Sequence, residues 1–166
     1  MLLPGNLVLT MTELQLLGCS CSQPRADAES VEYGAHTFEV NGRKTAFRIA
    51  RTTPKKAGQF VTLWQRTTPD GGGPIRPFDS SDSVDLFMVS VRGDAGLGLF
   101  IFPQDALIVR GVVSNGFVGG KRAIRVYPPD SEPTNKTAQS TQRWQLEYYF
   151  PVPDPSGAVA GLLARS

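Results

Sequence analysis

The sequence contains few of the residues from which metal centres and disulfide frameworks are built. It has a single histidine, His36, and two cysteines, Cys19 and Cys21, which are separated by one residue. A structural zinc site needs more ligands than these, and a disulfide scaffold needs more cysteines. We therefore expect two free thiols in a reducing cytoplasm.

Long apolar segments and nucleotide-binding motifs are also missing. The most apolar stretch near the start, residues 7–17, is interrupted by polar side chains and is too short to cross a bilayer. The first basic residue is Arg25, so the N-terminus lacks the basic region of a secretory signal. The chain contains neither a Walker loop nor a dinucleotide fingerprint. We expect a cytoplasmic protein without a membrane partner and without a cofactor.

The length of 166 residues predicts one domain around a single core. With 17 glycines and 13 prolines, the composition disfavours a helical bundle. Hydrophobic periodicity instead predicts an α/β (α+β) fold with a central mixed sheet flanked by helices. The expected strands lie near residues 36–40, 44–51, 59–66, 84–91 and 98–102, and the expected helices near 6–17 and 137–149. We predict one domain over residues 1–150 and a loose C-terminal tail over 151–166.

Capping and turn residues predict several boundaries between these elements. Asn6 is expected to cap the first helix, and Gly18 to end it. The dipeptide Asn41-Gly42 is a strong signal for a two-residue hairpin turn. Glycines at positions 71–73 indicate a longer turn.

The small net charge of +2 conceals a segregation of charge along the chain. Residues 41–66 and 106–129 contain basic residues and no acidic ones. If a compact sheet brings these two blocks together, they form a concave positive surface. Alternatively, each block is a solvated face whose ion-pair partners lie elsewhere in the fold.

Side chains of the basic blocks and of the last helix are the candidate phosphate ligands. Arginine pairs with phosphate through two parallel hydrogen bonds, and a helix N-terminus attracts anions. Strand alternation places Arg48 beside Ala46 and Ala50, whose small side chains leave room for a ligand. Trp64 is a candidate for base stacking, although core packing is the commoner role of tryptophan. The candidate phosphate ligands are Arg48, Lys55, Gln59, Arg66, Lys121, Arg122, Arg125, Lys136 and Gln142.

Three aspartates, Asp79, Asp82 and Asp85, recur at intervals of three residues before a predicted strand. Clustered carboxylates of this kind can hold a hard divalent cation. The competing interpretation is a solvated acidic loop whose aspartates cap a helix.

Six segments in this order resemble the MepB-like family of bacterial proteins. They are EYGAHTF (32–38), FRIARTTPKKAGQFVTLWQR (47–66), PIRPFD (74–79), GLFIFPQDAL (98–107), GKRAIRVYPP (120–129) and TQRWQ (141–145). The resemblance implies a small bacterial cytoplasmic protein with an α/β fold similar to the restriction-endonuclease-like fold. It also implies contact with DNA.

The nuclease chemistry that this fold implies can be checked against the sequence. Hydrolytic members use an acid-x-lysine triplet to hold magnesium and orient water, and no such triplet occurs in the chain. We therefore predict a non-catalytic module with a basic surface for DNA or another phosphate-bearing ligand. The alternative is a divergent magnesium-dependent nuclease or phosphodiesterase that uses Asp79, Asp82 or Asp85 with Glu32 or Glu39.

Overall fold

The computed structural model describes residues 2–68, 73–94 and 96–163 and shows a mixed α+β fold. The strands are β1 (Arg25–Ala26), β2 (His36–Val40), β3 (Arg43–Ile49), β4 (Arg51–Thr52), β5 (Gln59–Thr62), β6 (Trp64–Arg66), β7 (Ile75–Pro77), β8 (Leu86–Gly93), β9 (Gly96–Pro103), β10 (Ala123–Val126) and β11 (Tyr149–Val152). The helices are α1 (Gly5–Leu16), α2 (Gln104–Val109), α3 (Lys136–Gln145) and α4 (Ala158–Leu163). Among the described residues, no helix is long and apolar enough to cross a membrane.

A six-stranded mixed sheet forms the centre of the fold, in the order β1-β2-β3-β8-β9-β11. Strands β3 and β8 are parallel, whereas the other neighbours are antiparallel. The turn between β2 and β3 places Asn41 and Gly42 at positive φ, as a tight hairpin requires. Strands β8 and β9 are apolar and largely buried, as expected for central strands covered on both faces. The predicted mixed fold with a central mixed sheet is confirmed.

The two faces of this sheet support two hydrophobic clusters, because successive side chains of a strand point to opposite faces. One cluster joins Phe47 and Met88 to apolar residues of α1 and α4. The other joins Phe87 and Phe102 to α2 and to the small sheets. The second cluster is the layer that supports the candidate site.

The prediction of one central strand over residues 59–66 is wrong. The segment is divided at Leu63 into β5, which pairs with β4 and β10, and β6, which pairs with β7. Alternation would bury Val61 and Leu63 on one face whether the segment is one strand of the central sheet or is divided into β5 and β6, and both residues are buried. The sequence pattern therefore could not distinguish a strand of the central sheet from a second layer packed against it.

The beginning of α1 also differs from the prediction. Pro4, and not Asn6, occupies the N-cap position. The amide of Asn6 instead reaches the central sheet, where it donates to Oγ of Ser90 at 2.9 Å and accepts from Nε of Arg92 at 3.1 Å. Gly18 follows the helix with a φ of 91°, as expected for a C-terminal stop.

The segment after residue 150 is not loose over its described part. Strand β11 pairs with β9 along the edge of the central sheet, and α4 buries Val159 and Leu163. The predicted helix over residues 137–149 ends as α3 at Gln145, followed by a 3₁₀ turn and β11. Residues 164–166 and the turn predicted at residues 71 and 72 lie outside the described residues.

Candidate phosphate-binding site

A groove of about 770 Å³ lies between β10 and α3. Four basic side chains line it, together with three hydroxyl groups of α3, and none of the described residues that line it is acidic. We call it the basic groove; its polar lining includes Arg110, Lys121, Arg125, Lys136, Thr137, Ser140 and Thr141. Cations and hydroxyl donors that converge without a counter-charge form a surface suited to phosphate.

One wall of the basic groove is β10, whose Arg125 is fixed by the loop before β5. The guanidinium donates to the backbone oxygen of Ala57 at 3.2 Å and to the hydroxyl of Thr53. Gly58 has a φ of 79°, and a Cβ there would lie 2.6 Å from the ring of Tyr127. This close packing holds the loop against β10 and fixes the position of the Arg125 guanidinium.

The other wall is α3, which two glutamines attach to β10 and the residues after it. Gln145 is buried; its Oε1 accepts from the backbone N–H of Tyr127 at 2.8 Å, and its Nε2 donates to the oxygen of Arg125 at 2.9 Å. Gln142 donates to the backbone oxygens of Pro128 and Ser131 at 3.0 and 2.9 Å. Because its side-chain amide is committed to these carbonyls, Gln142 positions the helix.

The N-terminal end of α3 opens onto the basic groove. Asn135 caps the helix by accepting from the N–H of Ala138 at 2.8 Å, and the first turn carries no acidic residue. The exposed side chain of Lys136 adds its charge to the positive end of the helix dipole. Both contributions favour an anion at this end of the groove.

Arg110 completes the set of cations and is absent from the candidates predicted from sequence. It follows α2, and its guanidinium lies 5.1 Å from the centre of the Trp144 ring. It belongs to the acid-free block 106–129, which is the signal that could have identified it. Trp144 holds this cation at the groove through a cation–π contact.

Arg48 lies elsewhere, buried within β3. It is 2% exposed, forms a 3.4 Å ion pair with Asp27 and donates to the backbone oxygen of Phe47 at 2.9 Å. Burial lowers the pKa of Arg48, and the negative charge of Asp27 opposes this shift. The space beside Ala46 is a cavity of about 130 Å³ that Asp27 and Glu29 also line. The guanidinium is therefore already paired inside the protein.

Trp64 and Arg66 lie on β6, next to this small cavity. The ring of Trp64 is half-buried, and the guanidinium of Arg66 lies 5.5 Å from its centre. Arg66 also donates to the backbone oxygen of Gly73 at 3.1 Å. Trp64 lines the small cavity with Arg48 and is not among the residues that line the basic groove.

The remaining candidates are divided between buried and exposed positions. Gln59 is buried and donates to the backbone oxygen of Arg92 at 2.8 Å. Lys55 and Arg122 are exposed but do not line the basic groove. Of the predicted phosphate ligands, the structure brings together Lys121, Arg125 and Lys136.

The predicted metal-binding aspartates have structural partners. Asp79 is buried and accepts from the N–H and hydroxyl of Ser81, the hydroxyl of Ser114 and the N–H of Phe117. Burial alone would raise the pKa of Asp79, but these hydrogen bonds outweigh it and hold the pKa well below its ordinary value. The carboxylate therefore serves as an anchor for two loops.

The other two aspartates, Asp82 and Asp85, bind different partners. Asp82 forms a bidentate ion pair with Arg76 at 2.8 and 2.9 Å and accepts a hydrogen bond from the N–H of Asp79. Burial would raise the pKa of Asp82, but the hydrogen bonds and charge of Arg76, together with the hydrogen bonds from Asp79 and Gln65, lower it below its ordinary value. Asp85 is exposed and accepts from the N–H of Lys44 at 3.0 Å. Within the described residues, no group of three His, Cys, Asp or Glu side chains is placed to hold a metal ion.

Comparisons with known proteins agree with the resemblance seen in the sequence. A family model described as MepB-like matches residues 27–151, whereas no curated protein matches significantly. A crystal structure of MepB is similar, with 29% identity and a TM-score of 0.73 over 86% of this chain and 94% of that chain. A bacterial homing endonuclease gives a TM-score of 0.48 at 16% identity, over 85% of this chain and 86% of that one. The family model covers most of the sequence, and the chain belongs to the MepB-like family.

Proposed function

We propose that the protein is a non-catalytic module that binds the phosphate backbone of DNA in the basic groove. The observation that carries this proposal is the convergence of Arg110, Lys121, Arg125 and Lys136 in a groove whose described lining has no acidic residue. Uncompensated cations in one cleft raise the local concentration of a polyanion.

A polymer fits this groove better than a single small anion. Four cations exceed the charge of one phosphate group, and the exposed Arg122 next to Lys121 extends the positive charge beyond the groove. A backbone with successive phosphates neutralises such a row of cations, and the release of its condensed counterions favours binding. The hydroxyl groups of Thr137 and Ser140 add neutral hydrogen bonds to phosphate oxygens, whereas the hydroxyl of Thr141 donates to the backbone oxygen of Thr137 at 3.0 Å.

Binding is favoured over cleavage by the state of the carboxylates. The oxygens of Asp79 and Asp82 accept hydrogen bonds from protein donors, and the sequence has no acid-x-lysine triplet. A two-carboxylate hydrolase needs oxygens that are available to a metal ion. We therefore expect no cleavage of duplex DNA with magnesium or manganese. Cleavage that Asp85→Ala abolishes in a folded protein would establish the alternative of a metal-dependent nuclease.

The test is a salt titration of oligonucleotide binding by fluorescence anisotropy. The variant combines Lys121→Ala with Lys136→Ala, which removes two exposed cations from the groove. The control combines Arg25→Ala with Lys44→Ala, which removes the same charge from exposed positions of β1 and β3. The groove variant should reduce the slope of log K against log salt by about 1.4 to 1.8, because each phosphate contact contributes about 0.7 to 0.9.

The control variant should keep the wild-type slope, and its affinity should decrease only by the small contribution of the overall net charge. Equal slopes for the wild type and the groove variant would overturn the assignment of the groove. Failure of the wild type to bind any oligonucleotide at low salt would overturn DNA binding itself.

A further inference from the structure

A loop with exposed apolar residues begins and ends at one wall of the basic groove. The backbone N–H of Lys121 donates to the oxygen of Val112 at 2.9 Å, and both residues line the groove. The intervening residues, 113–120, form what we call the tip loop. Asn115 and Val118 exchange backbone hydrogen bonds at 3.0 and 3.2 Å, which closes a tight turn around Phe117.

Phe117 is presented to solvent by a strained and well-anchored backbone. Its side chain is 65% exposed, and that of Val118 is 78% exposed. The φ of Phe117 is 65°, in the left-handed region that bulky residues rarely adopt. The N–H of Phe117 donates to the buried carboxylate of Asp79 at 2.7 Å, and that carboxylate also accepts from Ser114 at 2.7 Å. Strain of this kind persists only where surrounding contacts enforce it, and it is commonly found at functional sites.

A cation accompanies the exposed ring. The guanidinium of Arg76 lies 5.3 Å from the centre of the Phe117 ring, and Asp82 holds the same guanidinium through two hydrogen bonds. Asp82 balances the charge of this guanidinium, which supports the Phe117 ring through a cation–π contact. Aromatic rings and arginine planes are the surfaces on which proteins stack unpaired bases.

We infer that Phe117 is a base-stacking residue, which gives the protein a preference for unpaired over duplex DNA. This inference rests on the proposed function, because the basic groove must hold the backbone while a base reaches the tip loop. In a single strand, a base is free to stack on the ring. In a duplex, the same contact requires the base to leave its stack, at a cost in free energy.

The experiment compares affinities for a labelled single strand and for its duplex by fluorescence anisotropy. Phe117→Ala should weaken binding to the single strand by at least about fivefold, the lower limit for loss of one stacked base. Its salt slope should stay unchanged, because no phosphate contact is lost. Phe117→Trp keeps an aromatic face and should retain the wild-type affinity. The matched control is Leu16→Ala, which truncates a residue of α1 that is 77% exposed, and it should have no effect.

Several outcomes separate this inference from the proposed function. If Phe117→Ala binds the single strand as the wild type does, base stacking is overturned, whereas the salt effect of the groove variant still stands. An equal loss of affinity for single strand and duplex would overturn the preference for unpaired bases. Absence of any binding by the wild type would overturn both proposals. Thermal unfolding of each variant establishes that affinities are compared between folded proteins.

Discussion

Replacing Asp79 by asparagine removes one charge from a carboxylate that is the acceptor for two loops. In the wild type, Oδ1 accepts from the hydroxyl of Ser114 and the N–H of Phe117, and Oδ2 accepts from the N–H and hydroxyl of Ser81. Asparagine keeps the volume but replaces one acceptor with a donor. The hydroxyl groups of Ser81 and Ser114 can rotate to accept from the asparagine. One of the two backbone N–H groups, that of Ser81 or that of Phe117, must then face the side-chain NH2 of the asparagine and loses its acceptor.

The expected loss of stability follows from these contacts. Losing a hydrogen bond to a charged group costs about 1.5–3 kcal/mol, and leaving a buried donor unpaired costs about 1–3 kcal/mol. Because the two effects overlap, we expect Asp79→Asn to lower the free energy of unfolding by about 2–5 kcal/mol. For a domain of this size, each kcal/mol lowers Tm by about 2–4 °C. Thermal unfolding near neutral pH should therefore show a decrease of about 4–20 °C.

The pH dependence gives this prediction a second readout. The pKa of Asp79 is lower in the folded protein than in the unfolded chain, so its stabilising effect is complete above the unfolded pKa of about 3.9. The effect is lost as the pH falls through the folded pKa. The stability of the wild type should thus approach that of Asp79→Asn as the pH decreases below about 4.

The control is Asp85→Asn, because Asp85 is exposed and accepts one N–H, from Lys44 at 3.0 Å. Its effect should stay below about 1.5 kcal/mol. The reasoning about Asp79 would be refuted by an unchanged Tm at neutral pH. It would also be refuted by a difference between wild type and variant that persists undiminished at low pH.

Three further predictions test packing and pairing around the groove and in β3. Gly58→Ala should cost about 1–3 kcal/mol more than Gly42→Ala, since both have φ near 80° but only at Gly58 would a Cβ meet backbone and ring atoms. Arg48→Met should lower the free energy of unfolding less than Asp27→Ala does in urea unfolding, because it removes the buried guanidinium with its unpaired Nε and leaves behind Asp27, which is 25% exposed to solvent. Asp27→Ala should cost about 1–3 kcal/mol, because it leaves the buried guanidinium without its counter-charge; the opposite order would contradict this account. Gln145→Leu should lower both Tm and DNA affinity, since it leaves a donor and an acceptor beside β10 unpaired; an unchanged Tm would exclude this anchoring role.

Local patterns were sufficient to predict four of the six strands of the central sheet, β2, β3, β8 and β9. The Asn41-Gly42 turn and the apolar runs of β8 and β9 each favour one local structure, and tertiary packing agrees with them. The division of residues 59–66 into β5 and β6 depends on which strands are available as neighbours. That is a property of the whole fold, and periodicity alone does not contain it.

The C-terminal segment shows how composition can mislead. Its prolines and glycines indicate a loop, yet Pro151 lies in β11, at the edge of the central sheet, where a missing N–H is tolerated. A capping signal was present: Asp154 accepts from the N–H groups of Ser156 and Val159 around the start of α4. An aspartate before a short apolar run is a recognised helix start.

The basic groove was only partly predictable, because charge blocks do not show which cations are already paired. Arg48 and Arg125 belong to acid-free blocks of similar appearance. Arg48 is neutralised by Asp27 from a distant, acid-rich part of the chain, whereas Arg125 is held by neutral oxygen atoms and lines the groove. Such long-range pairing is established only by folding. The helical wall formed by α3 carried no charge signal comparable to these blocks.

Two buried polar side chains position the two parts of the proposed binding surface independently. Gln145 attaches α3 to β10 and so fixes the width of the basic groove, whereas Asp79 fixes the tip loop that presents Phe117. Under the proposed function, Asp79 affects single-strand binding through the position of the Phe117 ring, so Asp79→Asn should weaken that binding no further when Phe117→Ala is already present. Gln145→Leu changes the position of α3 and therefore the contacts of the groove with the DNA phosphates, so its effect on affinity should add to that of Phe117→Ala. Measured affinities of the two double variants would show whether the groove and the tip loop are separate parts of one surface.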